Sequence, residues 1–254
     1  MKYIQLFETR MANAAQLAKL GLMDEDTLKV YKYLEVINDP DDSPDWYTLK
    51  LDDYPHESLP PELTHVRGDL HLMEAKIKSL PDGFKVDGTL FLNSSSIETL
   101  PNGLIVVGSL ILESTPISSI PEDLKVKGSL VLSNTPNLTQ LPQRMDVGAT
   151  STHRIGGIQF SELSLSDSSI EALPEGFHVT GSLDLSGSNV EELPEGLQVG
   201  GDLYLRYSNV DLDRLPARMS VAGDIQITRD QWMSMNQRTR DRLEEMANGD
   251  IDIS

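Results

Sequence analysis

Residues 181–197 read GSLDLSGSNVEELPEGL, and the reading of this stretch decides the fold. Gly181 opens it. Leu183 and Leu185 follow at alternate positions, then Ser188 and Val190, and Leu193-Pro194 closes it. Apolar residues two apart belong to a strand with one buried face. The Leu-Pro-x-Gly that follows suits a tight turn, because proline fixes φ and glycine ends the bend.

The phrase recurs along most of the chain, and repeats of this length signal a stacked architecture. With the proline of Pro-x-Gly-Leu and its variants as origin, units begin at Pro61, Pro81, Pro101 and Pro121, spaced by 20 residues. Pro142 comes one residue late, and Pro174, Pro194 and Pro216 follow. A degenerate earlier unit runs from Pro40, with Leu49, Leu51 and Leu59 in its leucine slots. Most units carry glycine seven residues after the origin, at Gly68, Gly88, Gly108, Gly128, Gly181, Gly201 and Gly223. Paired aliphatics come next, as in Leu90 and Leu92 or Leu110 and Leu112. A hydroxyl slot holds Ser95, Thr115, Thr135, Ser168, Ser188 and Ser208, and one more aliphatic precedes the closing Leu-Pro or Ile-Pro.

One such unit cannot bury its own leucines. Stacked units share a continuous core, with strands about 4.7–4.9 Å apart. The hydroxyl column is expected to turn inward and satisfy backbone where each coil bends. The expected fold is therefore a repeat solenoid of parallel β-strands over residues 46–228.

The string L-x-L-x-x-S-x-V-x-x-L-P (Leu183 to Pro194) resembles the leucine-rich repeat, in the short bacterial form with Leu-Pro after each strand. The resemblance covers residues 46–228. Two slots depart from it. Ser or Thr replaces the usual asparagine, and Val-x-Gly (Val179 and Gly181) stands where a leucine is expected. Repeats of this Val-x-Gly-x-Leu-x-Leu form look like those of bacterial and phage or prophage proteins. The departures leave open a parallel β-helix whose second face also carries short strands. Leucine-rich-repeat effectors of pathogenic bacteria carry a separate ubiquitin-ligase domain with a catalytic cysteine. This chain has no cysteine, so that activity is not carried over.

Solenoids need caps, because a terminal coil exposes its leucines. Residues 1–45 are expected to supply one as an α-hairpin. Phe7, Met11, Ala14 and Ala18 have helical spacing, and Gly21 ends that helix. Leu28, Tyr31, Leu34 and Ile37 form the second helical stripe, with Asp24 as N-cap. Trp46 and Tyr47 are expected to seal the open coil. At the other end, residues 229–254 are read as a short helix and a tail. Trp232, Met235, Leu243 and Met246 form its stripe, Asp230 is the cap and Gly249 the stop. One unit breaks the rhythm: Pro142 and Pro174 are 32 residues apart, with the insertion near 148–159. Inserted loops map to one side of a solenoid and often carry function. This one contains His153 and Arg154.

Little in the composition supports catalysis. The histidines His56, His65, His71, His153 and His178 lack metal-site spacing, and no thiol can complete such a site. Gly-x-Ser-x-Gly does not occur as a nucleophile elbow, and nothing resembles a phosphate loop. No cofactor and no enzymatic activity are expected. The chain carries 40 acidic and 21 Lys+Arg residues, a formal net charge of −19. That balance repels nucleic-acid backbones and anionic membranes. No secretion signal is read in MKYIQLFETRMANAAQLAKLGLM, and no stretch has the length of a membrane span. The expectation is a cytoplasmic protein whose partner is another protein.

If the leucines face inward, the residue between them faces out. That column reads His71, Phe91, Ile111, Val131, Ser164, Asp184, Tyr204 and Gln226. Phe91, Ile111 and Val131 are thus expected to form an exposed apolar stripe, which marks an interface, a self-association surface or intramolecular packing. Tyr204, Arg206 and Tyr207 form a second cluster of residue types favoured at binding hot spots. The expected function is a non-enzymatic protein-binding scaffold, of the bacterial or phage effector kind, that uses this strand face. The alternative is an acidic inhibitor that occupies the nucleic-acid site of a host enzyme.

Overall fold

A computed structural model describes residues 21, 23–37, 47–143, 146–147 and 163–253 of the chain. It is a parallel β-solenoid whose short strands form three sheets on two faces. The first column carries the leucine pairs and forms one ten-stranded sheet. Its strands are β1 (Leu49–Lys50), β3 (Leu70–His71), β5 (Leu90–Phe91), β7 (Leu110–Ile111) and β9 (Leu130–Val131). They continue through β11 (Leu163–Ser164), β13 (Leu183–Asp184), β15 (Leu203–Tyr204), β17 (Ile225–Ile227) and β18 (Ile251–Ile253). The register sets leucine over leucine, as in Leu90↔Leu110 and Leu183↔Leu203.

The Val-x-Gly departure has a structural meaning, because its valines build strands on a second face. There β2 (His65–Val66), β4 (Lys85–Val86), β6 (Ile105–Val106), β8 (Lys125–Val126) and β10 (Asp146–Val147) form a five-stranded sheet. Farther along, β12 (His178–Val179), β14 (Leu197–Val199) and β16 (Met219–Val221) form a three-stranded one. The cross-section fits a repeat solenoid or a parallel β-helix, with the core between the faces. Leu90, Leu92, Leu110, Leu112, Leu183 and Leu185 are fully buried from one side, and Val66, Val86 and Val106 from the other.

Two kinds of glycine shape the coils. Gly103 follows Pro101 with φ of 68°, the left-handed position that a type II turn requires. Gly108 has another role. A Cβ there would stand 2.5 Å from the Gly88 carbonyl carbon, so only glycine lets successive coils approach so closely. The hydroxyl column points inward as expected. Thr115 donates to the Leu112 carbonyl at 2.7 Å, Thr135 to Leu132 at 2.7 Å and Ser168 to Leu165 at 2.6 Å. These bonds close turns within one coil. The Ser95 and Ser188 hydroxyls are buried without a hydrogen-bond partner.

At the N-terminal end, α1 (Glu25–Ile37) covers the first coil. Asp24 caps it: the Thr27 amide donates to its carboxylate at 2.9 Å and the Leu28 amide to its carbonyl at 3.1 Å. The buried face is Val30, Tyr33 and Leu34, rotated from the expected stripe, since Leu28 and Tyr31 are only half-buried. The rotation lets the Tyr33 hydroxyl accept the Arg67 amide at 2.8 Å while its ring packs 5.6 Å from that of Tyr47. The first helix of the expected hairpin and Trp46 lie outside the described residues.

The C-terminal end differs from the expected single helix and tail. There are two helices, α2 (Arg229–Ser234) and α3 (Gln237–Met246). Thr228, not Asp230, caps α2. Its hydroxyl accepts from the Gln231 amide at 3.2 Å, and the Gln231 side chain accepts from the Thr228 amide at 2.8 Å, a reciprocal capping box. Asn236 caps α3, which buries Leu243. Gly249 is not a helix stop but the last glycine of the column, its amide 3.1 Å from the Gly223 carbonyl. Residues 251–253 then pair in parallel with β17, as Ile225↔Ile251 and Ile227↔Ile253. The helices thus replace the return segment of a final coil.

Candidate interaction surface

Parallel register lines up the outward residues of the ten-stranded sheet, so His71, Phe91, Ile111, Val131, Ser164, Asp184, Tyr204 and Gln226 form one column. The column is not uniform. The His71 and Phe91 rings lie 4.5 Å apart and are half-buried. Ile111 and Val131 are only 5% and 4% exposed, so the expected stripe is not open to solvent. Its members stand one strand apart, and alternation alone overstated their exposure. Ser164 is also buried, in a hydroxyl cluster with Ser133 (2.9 Å) and Ser166 (3.3 Å). His153 and Arg154 lie outside the described residues.

The C-terminal half of the face is more polar. Tyr204 donates to the Asp202 carboxylate at 3.3 Å. Burial pushes its phenol above the usual range, and the charge of Asp202 adds to the shift. Arg206 pairs with Asp252 at 3.0 Å, which fixes its guanidinium beside β18. Tyr207, next in the chain, is 80% exposed. Its φ is 57°, in the left-handed region. The same turn slot in other coils holds Asp53, Glu74, Ser94, Ser114, Asn134, Asp167 and Gly187. A bulky aromatic is the outlier of that column, and such strain concentrates at functional positions.

One feature of the site region escaped the sequence reading. The residue after most column glycines offers a side-chain oxygen to the same amide of the following coil. Asp69 accepts from the Thr89 amide at 2.7 Å, and Ser109 from Ser129 at 3.1 Å. Ser182 accepts from Asp202 at 3.0 Å, Asp202 from Asp224 at 2.9 Å, and Asp224 from Asp250 at 2.8 Å. The signal was Gly followed by Asp, Ser or Thr, repeated in register with the leucines.

Among the described residues no group of three or more His, Cys, Asp or Glu side chains could hold a metal ion. No described helix is long and apolar enough to cross a membrane. Comparison with protein-family models, curated proteins and solved structures gives no match to this chain.

Proposed function

We propose that this chain is a non-enzymatic, leucine-rich-repeat-like scaffold that binds another protein through the outer face of its ten-stranded sheet. The observation that carries the reading is Tyr207, an 80% exposed aromatic at positive φ in the turn where β15 leaves that face, next to Arg206. An exposed tyrosine next to arginine has the chemistry of an interface anchor. His71 and Phe91 supply a second contact near the other end. Ile111 and Val131 support the strands between them. The repeat type resembles those of bacterial and phage proteins, which suits a cytoplasmic effector.

The test is affinity purification from the native cell with the wild-type chain and with Tyr207→Ala. Loss of the captured partner from the variant, with an unchanged circular dichroism spectrum, is the expected result. Undiminished capture would overturn this choice of surface.

A second reading is an acidic inhibitor of a nucleic-acid enzyme. The net charge of −19 and the carboxylates of Asp184, Asp202, Asp224, Asp250 and Asp252 at the C-terminal half favour it. It requires steeply salt-dependent binding and competition by DNA or RNA. Salt-insensitive binding without competition would count against it.

A further inference from the structure

Among the described residues, no strand pairs with the outer edge of β18, which stands last in the ten-stranded sheet. That edge has a specific chemistry, because coils meet through the same bonds wherever the glycine column runs. Amides of the two aliphatic slots donate forward: Leu49 to Asp69 O, Leu51 to His71 O, Leu203 to Asp224 O and Leu205 to Gln226 O, each at 2.8 or 2.9 Å. The glycine amide donates backward, as Gly108 does to Gly88 at 2.9 Å and Gly223 to Gly201 at 2.9 Å. The residue after the glycine donates backward to a side-chain oxygen, as Asp250 does to Asp224 at 2.8 Å.

In the last coil, Ile251 and Ile253 hold the aliphatic slots, and Gly249 and Asp250 hold the other two. By this pattern the edge presents the amides of Ile251 and Ile253 as donors. The Gly249 carbonyl and the Asp250 carboxylate are its acceptors. Ile253 is 38% exposed, so apolar surface accompanies the polar groups.

We propose that this edge is a docking site for one extended segment of a partner protein, added in parallel, with the sequence glycine, small polar residue, aliphatic, any residue, aliphatic. The glycine requirement follows from the column. A Cβ at Gly223 would meet the Gly201 carbonyl carbon at 2.8 Å, and one at Gly249 the Gly223 carbonyl carbon at 2.7 Å. An incoming residue over Gly249 faces the same backbone. Strand addition to a sheet edge takes its affinity from main-chain bonds and its selectivity from side-chain fit. A second copy does not fit as the occupant. Its own first coil is covered by α1, and a Cβ at its Gly68 would already meet Tyr47 backbone at 2.6 Å. Antiparallel pairing of two β18 edges would set Asp250 and Asp252 against like charges.

The probe is a labelled synthetic peptide copying residues 126–133, VKGSLVLS, titrated into the full chain and followed by fluorescence anisotropy. Saturable binding is expected, and a peptide with valine in place of glycine should bind at least about tenfold more weakly. Ile253→Pro removes an outward donor while sparing the pairing with β17. It should weaken the parent peptide about fivefold with an unchanged thermal melt. Tyr207→Ala should bind the peptide as wild type does, which separates this edge from the strand-face proposal. Equal binding of the two peptides, no binding of either, or indifference to Ile253→Pro would overturn the inference. So would a dimer that Ile253→Pro dissociates, because the edge would then serve a second copy.

Discussion

The Gly108 amide donates to the Gly88 carbonyl at 2.9 Å, and a Cβ on Gly108 would lie 2.5 Å from that carbonyl carbon. The obstacle is backbone, which cannot swing aside like the end of a side chain. Gly108→Ala should therefore destabilise the fold by at least about 2 kcal/mol. Gly103→Ala meets only conformational strain, because its Cβ would find nothing closer than 3.6 Å. That change should cost about 1 kcal/mol. Urea denaturation of the two variants checks the order.

The hydroxyl column separates in the same way. Thr115→Val deletes the donor to the buried Leu112 carbonyl and should cost about 1–2 kcal/mol. Ser188 is fully buried and its hydroxyl has no partner, while the Leu185 carbonyl already accepts the Ser188 amide at 3.1 Å. Ser188→Ala should thus be neutral or stabilising by up to about 1 kcal/mol. Equal losses from the two substitutions would contradict this.

Asp24 links α1 to the first coil, since His56 lies 2.8 Å from its carboxylate. Burial raises its pKa, but the bonds from Thr27 and His56 outweigh that and hold the carboxyl well below the usual range. A depressed carboxyl stabilises the fold above its unfolded pKa of about 3.9, and the contribution fades as pH falls below that value. Asp24→Asn keeps a capping oxygen and should flatten the acid limb. Asp24→Ala should cost about 1 kcal/mol at neutral pH. Helicity measured between pH 7 and pH 2 tests both.

Tyr207→Gly should raise stability by about 1 kcal/mol, because glycine adopts the left-handed region without penalty. If Tyr207 anchors a partner, the same change should abolish binding. Stability and affinity would then move in opposite directions, which a thermal melt and a binding isotherm on one sample would reveal.

Much of the fold is legible because period-2 leucines, a glycine column and Leu-Pro turns all agree in phase. Leu183, Leu185, Ser188 and Val190 are buried as the stretch 181–197 implies. The failures have physical causes. Gly249 reads as a helix stop because Met246 precedes it, yet its meaning depends on Gly223, far away in sequence. Ile251 and Ile253 alternate as a strand should, but two residues of a pair carry too little signal alone. Ile111 and Val131 sit in an outward slot, and period cannot say what shields that slot. The bonds of Asp69, Asp202 and Asp224 are not legible, because a single unit does not reveal which amide of the next coil lies beside each carboxylate.

The second face is broken where the first is not. Its five-stranded sheet ends at β10 and its three-stranded sheet begins at β12. The glycine column has no member between Gly128 and Gly181 in the described coils, while Leu130↔Leu163 and Leu163↔Leu183 carry the first sheet across. Stability in a stacked chain is a sum of neighbour couplings, and of the described strands only one sheet contributes at that joint where two contribute between most other coils. Among the described strands a single spine carries the joint, so the two halves should exchange amide protons as separate cooperative blocks.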